Sequence, residues 1–418
     1  MIVSKISDLS PDELGGLAQR GVVMPPVQAL VEDVRDRGDR ALREYTKKFD
    51  GVKIEDIQVS EQEIDAALTP PTLTKALAAS IRNIGKFHEA QLPGGIRLEI
   101  QDGVTAGQRI IPLHRVGAYV PGGRALYPSS VIMCAVPAKV AGVDEVIMCT
   151  PPNKDGAVDP IILVAAKLSG VSQIFKVGGA QAIAAMAYGT ETIPRVDKIV
   201  GPGNKWVTAA KLVVYGAVDI DFPAGPSEVM ILADEKANAA WIAADLIAQA
   251  EHDPLASASL ITTSTHLASR VREEIDKQIG GMPRAEVIRQ ALEGGAILIA
   301  SSLREAIDFV NECAPEHLEI MTADPSAILG DVRNAGSVFL GEYAPVSVGD
   351  YCVGPNHVLP TAGFARARGG LGVCDFVKRQ SYQALTKKGL DGLRETAVAL
   401  AQVEGLDAHA KAIEMRFR

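Results

Sequence analysis

The feature that most restricts this 418-residue chain is a rhythm. From Arg115 onward, short apolar runs alternate with helical stretches of about ten residues, and glycine or proline marks the turns between them. Val116–Val120 reads as a strand closed by Pro121-Gly122-Gly123, and Ser129–Ala141 as a helix with Ser129 near its N-cap. Glu145–Cys149 is a strand, Asp159–Leu168 a helix and Ile174–Val177 a strand. A helix from Ala180 and a strand over Lys198–Val200 follow, and Gly201-Pro202-Gly203-Asn204 opens another helix. Pro223–Pro226 then punctuates the chain, and a second alternating block begins. Its strands are Glu228–Leu232, Ala258–Thr262, Ala296–Ile299, Leu318–Met321 and Ser337–Leu340, with helices at Ala237–Glu251 and His266–Ile279. Repeated strand–helix–strand order predicts βαβ units and parallel sheets, an α/β chain.

The flanks read differently. Residues 11–92 are mainly helical, with helices over Val27–Thr46, Glu61–Leu68 and Leu73–His88. Arg97–Ile100 and Arg109–Pro112 are short strands. A glycine-rich stretch at Gly369–Gly372 precedes a helical tail, Asp375–Arg418.

Composition excludes several classes. At 47% hydrophobic and 22% charged residues, the chain resembles ordinary globular proteins and not disordered ones. A net charge of −9 argues against non-specific nucleic-acid binding, which needs basic patches. The most apolar segment, Ser129–Cys149, is interrupted by Pro137, Lys139, Asp144 and Glu145, so no membrane span is expected. Met1–Ser10 lacks a signal-peptide core, and the expected location is cytoplasmic. Cys134, Cys149, Cys313, Cys352 and Cys374 form no CxxC pair and read as reduced thiols.

Three glycine turns follow predicted strands: Pro121-Gly122-Gly123, Gly178-Gly179-Ala180-Gln181 and Gly201-Pro202-Gly203-Asn204. Such turns at the carboxyl ends of strands suit close approach of a dinucleotide, although none is a full GxGxxG fingerprint. The alternative is that the glycines only make tight turns.

Of seven histidines, four have polar company. Gln249 and His252 share a helix face and are either metal ligands or a helix C-terminal cluster. Glu316-His317, between a helix and a strand, is an acid–base pair or an ordinary polar loop. Asp350 and His357 occupy a glycine-rich loop, where an Asp can ligate a metal or cap a turn. Glu404 and His409 would diverge on a continuous helix, unless Gly405 breaks it. Gln249, His252, Asp350 and His409 together offer two imidazoles and two oxygens, a set suited to Zn²⁺.

The strings Val116-Gly117-Ala118-Tyr119-Val120-Pro121-Gly122-Gly123, Gly178-Gly179-Ala180-Gln181-Ala182, Gly201-Pro202-Gly203-Asn204, Gln249-Ala250-Glu251-His252 and Ala314-Pro315-Glu316-His317-Leu318 occur in order. They continue with Gly349-Asp350-Tyr351, Gly354-Pro355-Asn356-His357-Val358-Leu359-Pro360-Thr361 and Glu404-Gly405-Leu406-Asp407-Ala408-His409. From about residue 10 to its end, the chain resembles the histidinol dehydrogenase family.

That resemblance implies a Zn²⁺- and NAD⁺-dependent, four-electron oxidation of L-histidinol through L-histidinal to L-histidine. It implies one Zn²⁺ per subunit on Gln249, His252, Asp350 and His409, with Glu316 and His317 as the catalytic pair. Tyr119, Gln181 and Asn204 would contact NAD⁺. Ser227, His317, Glu404 and the four metal ligands would form the substrate site. It implies a homodimer in which the tail reaches the partner's site, with no nucleic-acid or membrane partner. The expected fold has two incomplete Rossmann-like domains, a helical N-terminal region and a small helical tail. The corresponding bounds are 1–20 for an N-terminal extension, 21–115 with 228–368 for the first α/β domain, 116–227 for the second and 369–418 for the tail. Three rival readings stand beside this one. The first is a paralogue acting on another small alcohol, such as a sulfonated diol. The second is a non-catalytic metal-binding scaffold. The third is a thiohemiacetal route through Cys134 or Cys149.

Overall fold

The computed structural model describes residues 1–10, 13, 24–122 and 125–418. Gly123, and residues 11, 12 and 14–20 of the expected N-terminal extension, lie outside the described residues. Met1–Gln91 with Leu113–Phe376 forms one compact unit, and Leu92–Pro112 with Val377–Arg418 forms another.

In chain order the strands are β1 (Ile2–Lys5), β2 (Ile96–Gln101), β3 (Val104–Pro112), β4 (Arg115–Tyr119), β5 (Glu145–Cys149), β6 (Gln173–Phe175) and β7 (Lys198–Val200). They continue as β8 (Asp219–Ile220), β9 (Glu228–Ala233), β10 (Ser257–Thr262), β11 (Ala296–Ile299), β12 (His317–Met321), β13 (Ser337–Leu340) and β14 (Val377–Leu385).

The first unit holds two parallel sheets, ordered β6-β5-β4-β7-β8 and β1-β11-β10-β9-β12-β13. Helices cover both faces of a parallel sheet, so its central strands read as unbroken apolar runs. Val146 to Cys149 of β5 and Val229 to Ala233 of β9 are accordingly buried. Each fully buried side chain of this size stabilises by about 1.5–3 kcal/mol. The Gly179–Tyr188, Lys205–Val214 and Gln28–Phe49 helices close one face of the five-stranded sheet. The Ala239–Ala250 and Thr265–Gln278 helices cover one face of the six-stranded sheet, and Leu303–Cys313 the other.

After β13 the chain returns to the five-stranded sheet. Asn356 donates its side-chain amide to the Met133 carbonyl at 2.7 Å, Arg368 donates to the Asp221 carbonyl at 2.7 Å, and Lys198 donates to the Asp375 carbonyl at 2.8 Å. The second unit has an antiparallel sheet, β14-β3-β2, followed by helices Lys387–Val403 and Asp407–Glu414. Among the described residues, no helix is long and apolar enough to cross a membrane.

Several local readings need correction. The tail does not open as a helix at Asp375, because Val377–Leu385 is β14, paired along its length with β3. Its residues are mostly exposed, so no apolar alternation announced the strand. Asp350 stands in a short helix, Val346–Tyr351, and not in a loop. The helix expected from Ser129 begins at Pro128, whose ring sets the first helical turn without a side-chain cap. β1 was not anticipated, since its pairing with β11 joins residues almost 300 positions apart in the chain.

Candidate functional site

Parallel order places the starts of β9 and β12 side by side, with His317 in register with Val229. Ala314 caps the preceding helix at φ 49°, a left-handed conformation that costs a non-glycine residue on the order of 1 kcal/mol and turns the chain into Pro315-Glu316-His317. The peptide groups of Glu228 then hold both functional side chains. Its N–H donates to Glu316 Oε2 at 2.7 Å, and its carbonyl accepts from His317 Nδ1 at 2.9 Å. A proton on Nδ1 leaves Nε2 with a free lone pair. Nε2 faces Asp350 Oδ1 at 3.9 Å, and Glu316 Oε2 lies 3.5 Å from Nδ1.

Both side chains are buried, and burial dominates their titration. It raises the Glu316 carboxyl well above its ordinary value of 4.5; the Glu228 N–H opposes this, and the Glu228 and Asp350 carboxylates add to it. It lowers His317 below 6.5, only partly offset by Asp350. The pair is therefore a neutral imidazole beside an unusually basic carboxyl.

His252 meets Asp350 here, and Gln249 stands three residues before His252. Gln249 is buried near the end of its helix, and its Nε2 has no hydrogen-bond partner. His252 follows just beyond the helix C-cap, Glu251, and its Nε2 lies 4.0 Å from Asp350 Oδ2. Among the described residues, no three His, Cys, Asp or Glu side chains gather at metal-holding distances. The donor set of Gln249, His252 and Asp350 nevertheless fits a borderline divalent ion by its chemistry: two oxygens and one imidazole. Ser227 immediately precedes the Glu228 clamp and accepts from Ser257 N through its carbonyl at 2.9 Å.

Glu404 and His409 belong to the second unit. Gly405 at φ 72° breaks the helix between them, leaving Glu404 as C-cap of one helix and His409 exposed on the next.

The glycine turns lie at the carboxyl ends of β4, β6 and β7. The Tyr119 hydroxyl accepts from Gly179 N at 3.0 Å, and burial pushes its phenol up to about 12. Gly201 adopts φ +114°, and a Cβ there would stand 2.2 Å from the Tyr119 carbonyl oxygen. Asp221 accepts from Gly201 N at 2.8 Å, while Lys211 donates at 2.6 Å both to the Gly201 carbonyl and to Asp221. This buried ion pair, bonded to both the N–H and the carbonyl of Gly201, fixes the turn. Asn204 caps the next helix through its side chain, and Gln181 is buried in the helix that Gly179 opens.

Two contributors escaped sequence reasoning. The Glu228 clamp is made by backbone, which carries no sequence signal. His357 carries no role that its sequence neighbours reveal; it is half-buried, donates from Nδ1 to the Asp350 carbonyl at 2.8 Å and lies 3.3 Å from Ser130 Oγ. The thiol route fails on burial: Cys134 and Cys149 are fully enclosed, and their thiols are pushed far up, away from the nucleophilic thiolate.

A family model described as histidinol dehydrogenase matches residues 18–417. The chain belongs to the histidinol dehydrogenase family. It is 53% identical to the histidinol dehydrogenase of Methanosarcina mazei, over 100% of this chain and 98% of that protein. It is 52% identical to that of Methanosarcina barkeri, with the same coverage. The crystal structure of histidinol dehydrogenase from Elizabethkingia anophelis superposes with a TM-score of 0.94 at 38% identity, covering 100% of this chain and 98% of that one. Membership of this family makes the chain an NAD-dependent oxidoreductase and excludes the non-catalytic scaffold. These relatives give no support to a different small alcohol as substrate.

Proposed function

We propose that this chain oxidises L-histidinol through L-histidinal to L-histidine, passing one hydride to each of two NAD⁺. The observation that carries this reading is the double grip of Glu228 on Glu316 and His317. It aims a neutral imidazole Nε2 and a basic carboxyl from adjacent positions. His317 takes the hydroxyl proton of histidinol while the carbinol C–H leaves as hydride, and the C=O bond of histidinal forms. Glu316 takes a proton from water as its oxygen adds to the aldehyde carbon, and the protonated His317 returns its proton to the former carbonyl oxygen, which gives a hydrate with a new hydroxyl and frees Nε2. His317 takes that hydroxyl proton in turn, the second hydride leaves, and the carboxylic acid forms.

Gln249, His252 and Asp350, with the partner subunit's His409, would hold one Zn²⁺ per subunit. Zn²⁺ would supply an anchor for the amine and imidazole nitrogens of the substrate. Ser227 and the partner subunit's Glu404 would bind substrate alongside them. This makes the protein a homodimer with shared sites. Tyr119, Gln181 and Asn204 would contact NAD⁺ at the glycine turns. All five cysteines are free, as a cytoplasmic setting would leave them.

The test is the NADH formed per L-histidinol consumed. Two NADH per substrate, lost on chelation and restored by added Zn²⁺, is the expected result. A ratio of one, or turnover indifferent to chelation, overturns the corresponding half of the reading. The NAD⁺ turn is tested by Gly201→Ala. The added Cβ strains a left-handed backbone and strikes the Tyr119 carbonyl, at a cost on the order of 1–3 kcal/mol. The expected outcome in steady-state kinetics is a KM for NAD⁺ raised about tenfold or more, with the KM for histidinol little changed.

A further inference from the structure

Behind the acid–base pair lies a second pair of carboxyls with no part in the proposed steps. Glu319 sits two residues after His317 on β12, on the same face of the strand, and is 1% exposed. Its Oε1 accepts from the backbone N–H of Val346 at 2.8 Å. Its Oε2 is buried with no donor to satisfy it, and the carboxyl it faces is that of Asp245, on the Ala239–Ala250 helix. A buried carboxylate and a half-buried one side by side repel, and an unpartnered anionic oxygen is costly. A single proton on Glu319 Oε2, directed at Asp245, removes both penalties.

The three elements joined at this point carry the candidate site. Gln249 lies one turn beyond Asp245 on its helix. Asp350 lies one turn beyond Val346. His317 shares the strand and face of Glu319.

We propose that Glu319 and Asp245 share one proton, and that this closed pair is a positioning element that sets Gln249, His317 and Asp350 relative to one another. The kinetic consequence rests on the function proposed above; the protonation does not. Among the described residues, the one titratable side chain acting on Glu319 is Asp245, and the one acting on Asp245 is Glu319. Burial holds Glu319 up to about 8 and Asp245 up to about 6. A raised carboxyl favours the fold fully below its unfolded value, 4.5 for Glu319, and loses that contribution as pH rises through about 8.

The experiment compares wild type, Glu319→Gln, Glu319→Met and Asp245→Asn as holoenzymes. Thermal unfolding is followed from pH 5 to 9, and kcat and both KM values are measured at pH 7. Glu319→Gln keeps the bond from Val346 and donates its amide to Asp245 without titrating. Its folding equilibrium should therefore decline less steeply than that of wild type, by about tenfold per pH unit up to near pH 8, while the share of the buried Glu316 carboxyl remains in both. Asp245→Asn removes the neighbouring charge but not the burial of Glu319, so the same decline should end at a lower pH than in wild type, which keeps the test decisive if Glu319→Met does not fold. In kinetics, Glu319→Gln should stay within about threefold of wild type. Glu319→Met should lose about tenfold to a hundredfold in kcat with the KM for NAD⁺ unchanged. A wild-type pH slope retained in Glu319→Gln and Asp245→Asn overturns the shared proton. Full kcat in Glu319→Met overturns the positioning role. If wild type itself does not oxidise histidinol, the functional reading fails, while the unfolding slopes still decide the protonation.

Discussion

Glu316→Gln is expected to stop the enzyme half-way. Supplied with L-histidinol, the variant should reduce one NAD⁺ and accumulate L-histidinal; supplied with L-histidinal, it should be slower than the native chain by about a hundredfold to ten-thousandfold. The carboxamide fills the same space and still accepts the Glu228 N–H that now meets Oε2 at 2.7 Å, so His317 should stay in place. What is lost is a base for water. Burial raises that base well above an ordinary carboxyl, so the aldehyde step of the native chain should also fall off on acidification at a higher pH than an unperturbed glutamate would give. Measuring the two half-reactions separately checks this. Equal losses in both would remove the division of labour between Glu316 and His317.

His317→Ala is expected to abolish both oxidations, with about a hundredfold to ten-thousandfold loss in each, because one imidazole serves as base in each dehydrogenation. Binding of NAD⁺ should persist, since Tyr119, Gln181 and Asn204 belong to the five-stranded sheet and its glycine turns. The same variant tests the shared site. Mixed with His409→Ala under conditions that exchange subunits, it should recover part of the native activity, because one heterodimer site receives an intact His317 from one chain and an intact His409 from the other. No recovery in demonstrated heterodimers would show that each chain completes its own site.

The α/β pattern was legible from Arg115 to Leu340 because strands buried on both faces read as plain apolar runs bounded by glycine and proline. β14 was not legible, since its mostly exposed residues carry no such contrast and its partner β3 lies far back in the chain. The helix bearing Asp350 was hidden for a related reason. Val-Ser-Val-Gly-Asp-Tyr is a poor helical sequence, with two β-branched valines and a glycine. The fold supplies what local propensity lacks: Glu319 holds the Val346 N–H, and Gly349 lies so close to the Phe339 ring that a Cβ would stand 2.5 Å from it.

The sequence by itself determined which chemical groups are available: Glu316 beside His317, Gln249 one turn before His252, and an Asn able to cap a helix after a glycine turn. Adjacent spacing and helix periodicity are local properties, and they survive without knowledge of the fold. Only the tertiary structure decided how those groups are oriented and charged. The tautomer of His317 comes from the carbonyl of Glu228, 89 positions away, and the basicity of Glu316 comes from its enclosure. Both depend on β9 and β12 lying side by side. Hydrogen-bond direction and loss of water are set by what surrounds a residue in space, and that neighbourhood exists only once the parallel sheet has formed.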